Sequence, residues 1–402
     1  MRLGRALRHR NFRLFVAGQG VSMLGTWITR FAIGYETYQL SHSTVQLGLV
    51  AFFGQAPTSL VAPLAGVLVD RWDRHRVIVL TQVAALLQSA ALAAFALTNT
   101  MTVWHLMVLG ALQGVINAFD MPARQSFMRQ MVDDRADLAN AIALNSTLVN
   151  VGSLLGPVIA ALLVAAVGVG GCFAIDAASY LAVIASLLSM RVSATPPRPR
   201  AGRVLAEMGA GLAYVRRVPL VSALMVQLGV VVVFGGSYAS LLPAVAVDVL
   251  HGGPHALGWL MSAGGAGALS GALYMASRAS TAGLTRLVTI AGVALGAGLL
   301  ALELAPAVWA AVPMLFVVGA GLMVLWASTN TMVQTLVDED KLGRVMSLYA
   351  VAFFAGAPLG ALVMGLVASA VGPIHTYALC GGGCVVTALI FRRFVARHKM
   401  PA

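Results

Sequence analysis

Lysine and arginine residues alternate along this chain in a way that few folds allow. All but one of the 26 lie in every second gap between long apolar segments, and the other gaps contain none. Loops on the cytoplasmic side of a membrane are enriched in Lys and Arg. We therefore predict seven cytoplasmic gaps, which include both termini. They comprise residues 2–13, 71–76, 124–135, 191–217, 278–286, 341–344 and 392–399.

The apolar segments have the length of membrane-spanning helices. A helix rises about 1.5 Å per residue, so about 20 residues cross the roughly 30 Å hydrocarbon layer. Hydropathy predicts twelve such spans and hence an all-α membrane protein. The first is too long for a signal-peptide core and is kept as a span. The spans are 12–36, 46–70, 77–98, 102–120, 140–166, 171–190, 219–245, 256–278, 283–303, 308–333, 345–370 and 374–396.

Composition agrees with a membrane protein and argues against other classes. Hydrophobic residues make up 59% of the chain and charged residues 10%, which is typical of a protein solvated by lipid. The net charge of +12 is explained by the cytoplasmic gaps, so we expect contact with lipid head groups and no nucleic-acid binding. The scattered Cys172, Cys380 and Cys384 predict neither disulfides nor a metal site. Arginine outnumbers lysine 24 to 2, which favours a GC-rich bacterium and its cytoplasmic membrane.

The sequence contains no recognisable catalytic constellation. It has no nucleophile with a paired base, no G-x-x-x-x-G-K-[ST] loop and no His/Cys/Asp cluster with ligand spacing. We therefore predict a protein that is not an enzyme, is not driven by ATP and holds no cofactor or metal.

A polar, proline-containing stretch divides the spans into two sets of six. Residues 191–218 predict a cytoplasmic linker between one bundle at 1–190 and another at 219–402. Apolar residues at helical spacing within 203–217 favour a short amphipathic helix, with a plain solvated linker as the alternative.

The two sets are related by an internal repeat. Shifting the chain by 204 residues aligns the fifth span with the eleventh without a gap. The glycines that match would let helices pack closely in both halves. Chance similarity of two Gly/Ala-rich helices is the alternative, but it does not explain the matching acidic loop. The pairs are Asp134 with Asp338, Leu138 with Leu342, Leu144 with Leu348, Gly152 with Gly356, Gly156 with Gly360, and Gly168 with Gly372.

The loop between the second and third spans contains a compact charge motif. Residues 66–76 read GVLVDRWDRHR. Gly66 permits contact with a neighbouring helix, and Asp70 can cap a helix end or pair with an arginine. The motif predicts a contact that holds the cytoplasmic side closed, and a cluster that only sets topology is the alternative. Its residues are Gly66, Asp70, Arg71, Asp73 and Arg74.

The fifth span contains spaced glycines followed by a proline. These are Gly152, Gly156 and Pro157. Pro157 removes a backbone hydrogen bond and can bend the helix, so the motif predicts a hinge. Tight packing without a hinge is the alternative.

Both motifs, in a chain of two six-span repeats, resemble those of the major facilitator superfamily. The loop motif is similar to the superfamily's signature, with Asp73 where a glycine is usual, as in the branch of enterobactin exporters and macrolide-efflux proteins. The fifth-span motif resembles that of drug/proton antiporters, with Ala160 and Ala161 in place of two glycines. In the fourth span, Gly110 stands where the superfamily has an arginine.

The resemblance implies a transporter that alternates between inward-open and outward-open states. It also implies that Asp120, at the cytoplasmic end of the fourth span, is the gate partner of the arginines at 71 and 74. The departure at Gly110 argues against the standard arrangement for handling protons.

By the same resemblance, the first, fourth, seventh and tenth spans line a central cavity. Each has a polar or aromatic stripe at helical spacing. Uncharged polar groups beside large aromatics suit a bulky amphipathic organic molecule, such as a drug or siderophore. Hydrogen bonding between helices is the alternative for each Ser, Thr and Asn. The stripe residues are Gln19, Ser22, Thr26, Arg30, Gln113, Asn117, Asp120, Gln227, Phe234, Tyr238, Trp326, Thr329 and Asn330.

Arg30, Glu36 and Asp176 are charged residues within the first and sixth spans. Arg30 is costly to expose to lipid, so it must face the cavity or a partner, for which Asp176 is one suggestion. Glu36 lies six residues on and about 120° around the helix, which is not ideal for a pair with Arg30. Either acid can carry a coupling proton, and a structural, hydrogen-bonded acid is the alternative for Asp176.

Together these features predict a monomeric secondary exporter of an amphipathic molecule, coupled to protons and working by alternating access. A facilitator that takes up a metabolite or lysolipid is one alternative. A non-transporting membrane sensor with the same fold is another.

Overall fold

A computed structural model describes residues 5–132, 135–191, 204–278 and 280–397. In these ranges the chain is helical and contains no β-strand. The helices are α1 (Arg10–Ser41), α2 (Thr44–Arg71), α3 (Arg74–Leu97), α4 (Val103–Phe127), α5 (Arg135–Leu188), α6 (Val204–Arg217), α7 (Pro219–Val230), α8 (Leu242–Ala244), α9 (Gly253–Ser277), α10 (Leu284–Ala301), α11 (Val308–Leu336), α12 (Glu339–Val371) and α13 (Pro373–Arg397).

These helices account for the twelve predicted spans. Ten segments are long and apolar enough to cross a membrane. One of them, Asp137–Leu188, is 52 residues long and contains the fifth and sixth spans on either side of Gly168. The first span, α1, is 32 residues long. It is not among the ten because its polar stripe lowers its mean hydropathy. The all-α, multi-span fold is therefore confirmed.

The chain forms two compact units, 1–41 with 53–201 and 42–52 with 202–402. In the first unit, α1 and α3 pack against α5, and α3 also packs against α4. In the second unit, α9 packs against α11, and α10 packs against both α11 and α13. The start of α2 belongs to the second unit, where the Thr44 hydroxyl donates to the Gly365 carbonyl oxygen at 3.1 Å.

The seventh span is irregular. Its 31 residues, Pro219–Val249, are continuous, but α7 passes into a π-helix at Val231–Gly235 and a 3₁₀ segment at Gly236–Leu241. After α8, a second π-helix covers Val245–Val249. Each change in hydrogen-bond spacing rotates the following side chains around the helix axis, so a stripe at regular spacing does not persist through this span.

The helix predicted within the linker is present as α6. The Tyr214 hydroxyl donates to Asp338 Oδ2 at 3.1 Å, so α6 is fixed to the start of α12. Gly211 lies close to α12, since an added Cβ would lie 2.7 Å from the Arg344 carbonyl oxygen. Val215 is buried and Leu212 is exposed, so only part of the apolar face is covered. The prolines of the predicted linker lie outside the described residues.

The repeat-matched glycines at 168 and 372 share an unusual backbone conformation. Gly168 has φ 72° and ψ 176°, and Gly372 has φ 90° and ψ 153°. Only glycine occupies this region readily, because a Cβ would clash with the backbone. The break between the fifth and sixth spans and the break between the eleventh and twelfth are therefore both formed by a glycine in this conformation.

We expect Gly372→Ala to lower the free energy of unfolding by about 2 kcal/mol, because alanine at this φ and ψ is strained. Thermal unfolding in detergent, followed by tryptophan fluorescence, measures the change. Gly382→Ala is the matched control, since Gly382 lies within α13 and an added Cβ has no heavy atom within 4 Å. Equal midpoints for the two variants would contradict the strained conformation.

Candidate functional site

The charge motif forms the junction between α2 and α3. Asp73 is the N-cap of α3, and its Oδ1 accepts from the Arg76 backbone N–H at 2.9 Å. Asp70 pairs with Arg74 at 3.8 Å, one turn away. The predicted close contact at Gly66 is wrong for this structure, because an added Cβ there has no atom within 4 Å. Asp73, which stands where the superfamily pattern has a glycine, thus has a local role as the residue that caps the start of α3.

Asp120 lies in a buried polar cluster near the C-terminal end of α4. It accepts from the Thr81 hydroxyl at 2.8 Å and from Gln82 Nε2 at 2.9 Å. Its charged partner is Arg124, which also donates to Gln19 Oε1. The α4 helix continues to Phe127, beyond the predicted span, and this places Asp120 and Arg124 one turn apart.

The expected pairing of Asp120 with the loop arginines is therefore corrected. Among the described residues, no ion pair joins Asp120 to Arg71 or Arg74. An arginine on the same helix reaches the carboxylate at an i,i+4 spacing and occupies it. Gln19, predicted as a cavity residue, is buried here as the acceptor for Arg124.

We expect Arg124→Gln to lower the free energy of unfolding by about 2 kcal/mol, because it leaves the Asp120 carboxylate buried without a cation. The double variant Arg124→Gln/Asp120→Asn should regain part of this loss, since the neutral amide oxygen still accepts from Thr81 and Gln82. Thermal unfolding of the two variants in detergent measures both effects. A double variant less stable than Arg124→Gln alone would contradict the pairing.

The glycines of the fifth-span motif hold α5 close to α1. A Cβ at Gly152 would lie 2.9 Å from Met23 Cγ and 3.0 Å from Trp27 Cδ1, and one at Gly156 would overlap the Trp27 side chain. The helix continues past Pro157, and the residue with non-helical dihedral angles in α5 is Gly168. Tight packing is therefore present, and a hinge at Pro157 stays a prediction.

Gly356 and Gly360, which match Gly152 and Gly156 in the repeat, make the equivalent contact in the second unit. A Cβ at Gly356 would lie 2.8 Å from Val232 Cγ1, and one at Gly360 would overlap Ser237 Oγ and the Val233 carbonyl oxygen. All three partner residues belong to the irregular part of the seventh span. The fifth span thus packs against the first, and the eleventh against the seventh, through glycines 204 residues apart in sequence.

The stripe on α1 divides between two environments. Ser22 is buried, and its carbonyl oxygen accepts from the Thr26 hydroxyl at 3.0 Å. Thr26 and Arg30 are exposed. On α4, Gln113 Nε2 donates to Asn117 Oδ1 at 3.1 Å, whereas Gln113 Oε1 is buried without a hydrogen-bond partner among the described residues. The exposed ends of the stripe therefore remain available to a ligand.

In the second unit, the candidate residues lie deeper than the stripes suggest. Tyr238 is buried, its carbonyl oxygen accepts from the Tyr377 hydroxyl at 2.7 Å, and its own hydroxyl contacts Gly264. Phe234 is half-buried within the π-helix. The prediction that both residues lie on one open face is wrong for Tyr238, because the change in helix type turns it into the packed interior.

Several buried polar atoms in this unit have no hydrogen-bond partner. Gln227 is 1% exposed, and neither its amide nitrogen nor its amide oxygen has one. The same is true of Trp326 Nε1 and Thr329 Oγ1 on α11, whereas Asn330 accepts from Gln334. Unsatisfied buried polar groups are costly, and such groups often serve a ligand or ordered water. These atoms therefore remain candidates for substrate recognition.

Asp176 connects three segments of the first unit. Its Oδ2 accepts from the Thr29 hydroxyl of α1 at 2.7 Å and from the Ser89 hydroxyl of α3 at 2.9 Å. The side chain is 1% exposed, and its Oδ1 has no donor. No cation pairs with Asp176 in the described ranges. Thr29 and Ser89 were not predicted as site residues, because each is a single polar residue off the stripes.

Arg30 projects from a different face of α1. Its guanidinium lies 5.5 Å from the centre of the Trp27 ring. The suggested pair with Asp176 is wrong, because Arg30 is exposed while the neighbouring Thr29 reaches into the interior to bond the acid. Glu36 is half-buried and likewise forms no ion pair with Arg30 in the part of the chain that the structure describes.

Comparison with a family profile gives a match to almost the whole chain. The profile is described as transmembrane secretion effector, and it covers residues 5–401. The described residues contain no group of three or more His, Cys, Asp or Glu that could hold a metal ion.

Curated relatives cover nearly the full chain at low identity. The staphyloferrin A transporter of Staphylococcus aureus is 22% identical over 383 residues, covering 94% of this chain and 95% of the relative. The enterobactin exporter EntS of Shigella boydii is 27% identical over 392 residues, covering 95% and 91%.

Solved structures of similar shape are also transporters. A POT family transporter in complex with a thioalcohol-conjugated peptide has a TM-score of 0.75 at 12% identity, covering 96% of each chain. The nucleoside transporter NupG has a TM-score of 0.72 at 14% identity, covering 98% and 99%. At these identities the likeness establishes the fold alone.

Proposed function

The chain belongs to the transmembrane secretion effector family of the major facilitator superfamily, and is thus a multi-span membrane transporter; from that membership we propose that it exports a bulky amphipathic molecule in exchange for protons. The two six-span bundles, at 1–190 and 219–402, would alternate access to a site near the middle of the membrane. The substrate is a small molecule of the drug or siderophore kind.

The direction of transport rests on the fifth-span motif and on the relatives. Gly152 and Gly156 pack directly against Trp27 of α1, a cavity-lining helix by resemblance to the superfamily. The relative EntS is an exporter of enterobactin, a siderophore. Both observations favour outward movement.

Coupling to protons rests on one observation, the geometry of Asp176. The carboxyl is buried within the spans and has two hydroxyl donors on Oδ2. Among the described residues, Oδ1 has no donor and no cation pairs with the carboxyl. A proton on Oδ1 would compete with no other hydrogen. Titratable groups inside membrane spans commonly mark proton pathways. Glu36, nearer the outer end of α1, is the second candidate.

The cytoplasmic gate is the third part of the proposal. Asp70 and Arg74 bridge the α2–α3 junction, and Asp120 and Arg124 bring α4 together with Gln19 of α1. Exchange of partners among these charges, Arg71 included, would accompany opening and closing. Both termini would be cytoplasmic, the protein would act as a monomer, and it would not bind nucleic acid.

Flux of protons driven by substrate tests the proposal. Purified protein is reconstituted into proteoliposomes that contain pyranine, and enterobactin, staphyloferrin A and erythromycin are added outside in turn. Antiport predicts that a substrate entering the vesicle expels protons, so the luminal pH rises. No pH change and no accumulation of any compound would favour a sensor, and accumulation without proton movement would favour a facilitator.

A further inference from the structure

Arg30 lies far from either end of a membrane-spanning helix. It is 20 residues after the start of α1 at Arg10 and 11 before its end at Ser41, which places it roughly 16 Å of helix rise from the outer end. The side chain is exposed. A guanidinium in hydrocarbon costs several kcal/mol at least, so an exposed arginine at this depth faces water or a ligand.

No carboxylate in the described part of the chain forms an ion pair with Arg30. The sequence has 14 acidic residues, and those within the predicted spans of the first half are Glu36, Asp70, Asp120 and Asp176. Asp70 lies at the end of its span and pairs with Arg74. Asp120 is paired with Arg124, and Asp176 is buried and bonded to two hydroxyls. Glu36 is about 9 Å further along the helix axis and 120° around it. In the ranges that the structure describes, no ion pair includes Arg30.

The second half of the chain offers no substitute. The predicted spans 256–278, 308–333, 345–370 and 374–396 contain no Asp or Glu, and Asp248 and Glu303 lie at the outer ends of other spans. Among the described residues, no acid within the spans therefore forms an ion pair with Arg30.

The tryptophan beneath the guanidinium is fixed in place. The Trp27 side chain packs against Gly152 and Gly156 of α5, where any larger residue would displace it. Its ring lies 5.5 Å from the guanidinium carbon, within the range of a cation–π contact. Thr26 is exposed on the neighbouring position of the helix. A rigid aromatic plane with a cation above it suits a flat apolar group that ends in a negative charge.

We propose that Arg30 and Trp27 bind the anionic end of the transported molecule, so that the substrate class is amphipathic organic acids with an aromatic or other flat apolar body. This inference rests on the proposed function and names the charge of its substrate. Arg30 forms charge-assisted hydrogen bonds with a carboxylate, and Trp27 packs against the adjoining apolar part. A neutral or cationic molecule of the same shape leaves the guanidinium without an anion.

Binding of a matched pair of probes tests the inference without any transport. The probes are 1-pyrenebutyrate and its uncharged primary amide, and energy transfer from tryptophan to pyrene reports binding to protein in phosphatidylcholine nanodiscs. The chain has six tryptophans. The part of the energy transfer that is lost in Trp27→Phe reports binding at this site. We expect the wild type to bind the acid about tenfold more tightly than the amide, as one charge-assisted contact provides.

Variants and salt separate this site from general attraction to positive charge. Arg30→Gln should bring the acid-to-amide ratio close to one, Arg30→Lys should keep most of it, and Arg393→Gln, which removes an exposed charge from the end of α13, should keep all of it. The wild-type preference should persist as salt is raised, because salt screens an exposed charge such as that of Arg393 far more than a charge within the membrane region. The salt dependence is measured on the wild type alone, so it tests the inference even if Arg30→Gln does not fold.

Three results would overturn the inference. They are equal binding of acid and amide by the wild type, an unchanged ratio in Arg30→Gln, and displacement of pyrenebutyrate by phosphatidylglycerol in the nanodisc, which would assign Arg30 to lipid. Arg30-dependent binding without any flux would instead leave this site intact and contradict the proposed export. Flux of neutral and anionic compounds alike, independent of Arg30, would support the proposed export and contradict the role of Arg30 in binding an anion.

Discussion

Replacing Asp176 with asparagine is expected to abolish proton movement driven by substrate while leaving a folded protein. Asparagine has the same shape, and its amide oxygen can still accept from Thr29 and Ser89. It cannot exchange a proton in the working pH range, so a transport cycle that needs one stops. Pyranine fluorescence in proteoliposomes, with a compound that moves protons in the wild type, measures the loss as a fall to the rate of empty vesicles.

Two controls distinguish coupling from structure. Glu36→Gln should retain flux, because Glu36 is the second candidate and lies nearer the outer water. Thr29→Val removes one hydrogen bond to Asp176, which typically costs about 1 kcal/mol, but preserves the carboxyl. It should therefore lower thermal stability and keep coupling. Flux that persists in Asp176→Asn and disappears in Glu36→Gln would transfer the coupling role to Glu36.

Replacing Gly319 with alanine is expected to lower the free energy of unfolding by about 3 kcal/mol or to prevent folding. A Cβ at Gly319 of α11 would overlap the Gly264 carbonyl oxygen of α9, and one at Gly267 would overlap the Phe316 carbonyl oxygen. The two helix backbones are thus in contact, and no side chain can move aside to make room. Thermal unfolding and gel filtration in detergent measure the loss of stability and of monodisperse protein.

Gly229→Ala is the matched control. Gly229 also lies within a membrane helix, but an added Cβ has no heavy atom within 4 Å. Alanine has the higher helix propensity, so this variant should be as stable as the wild type or slightly more stable. If Gly319→Ala and Gly229→Ala unfold at the same temperature, α9 and α11 are not packed through their glycines.

The number and position of the spans could be predicted because the causes are local. Each apolar segment needs lipid, each basic gap marks one side of the membrane, and neither depends on which helices touch. The repeat could be predicted for a similar reason. Gly168 and Gly372 match in sequence because both stand at a break where a side chain would strain the backbone.

The contacts of the site could be predicted only in part, because helical periodicity places a residue on a face without saying what covers that face. The predicted pairing of Asp120 with the loop arginines is wrong, because a fourth span that ends at residue 120 leaves out Arg124, the partner on the same helix. The predicted open face at Tyr238 requires a regular helix. The π-helix at Val231–Gly235 changes the register, and the sequence gives no period that reveals it.

The paired break at Gly168 and Gly372 also bears on the history of the chain. Side-chain contacts can be replaced by others as two copies of a sequence diverge, but a backbone angle that excludes a Cβ can be met by one residue type alone. A glycine of this kind therefore outlasts the similarity around it. The two residues, 204 positions apart, indicate that an ancestral gene for a half-length protein already turned its chain at this point before it was duplicated and fused.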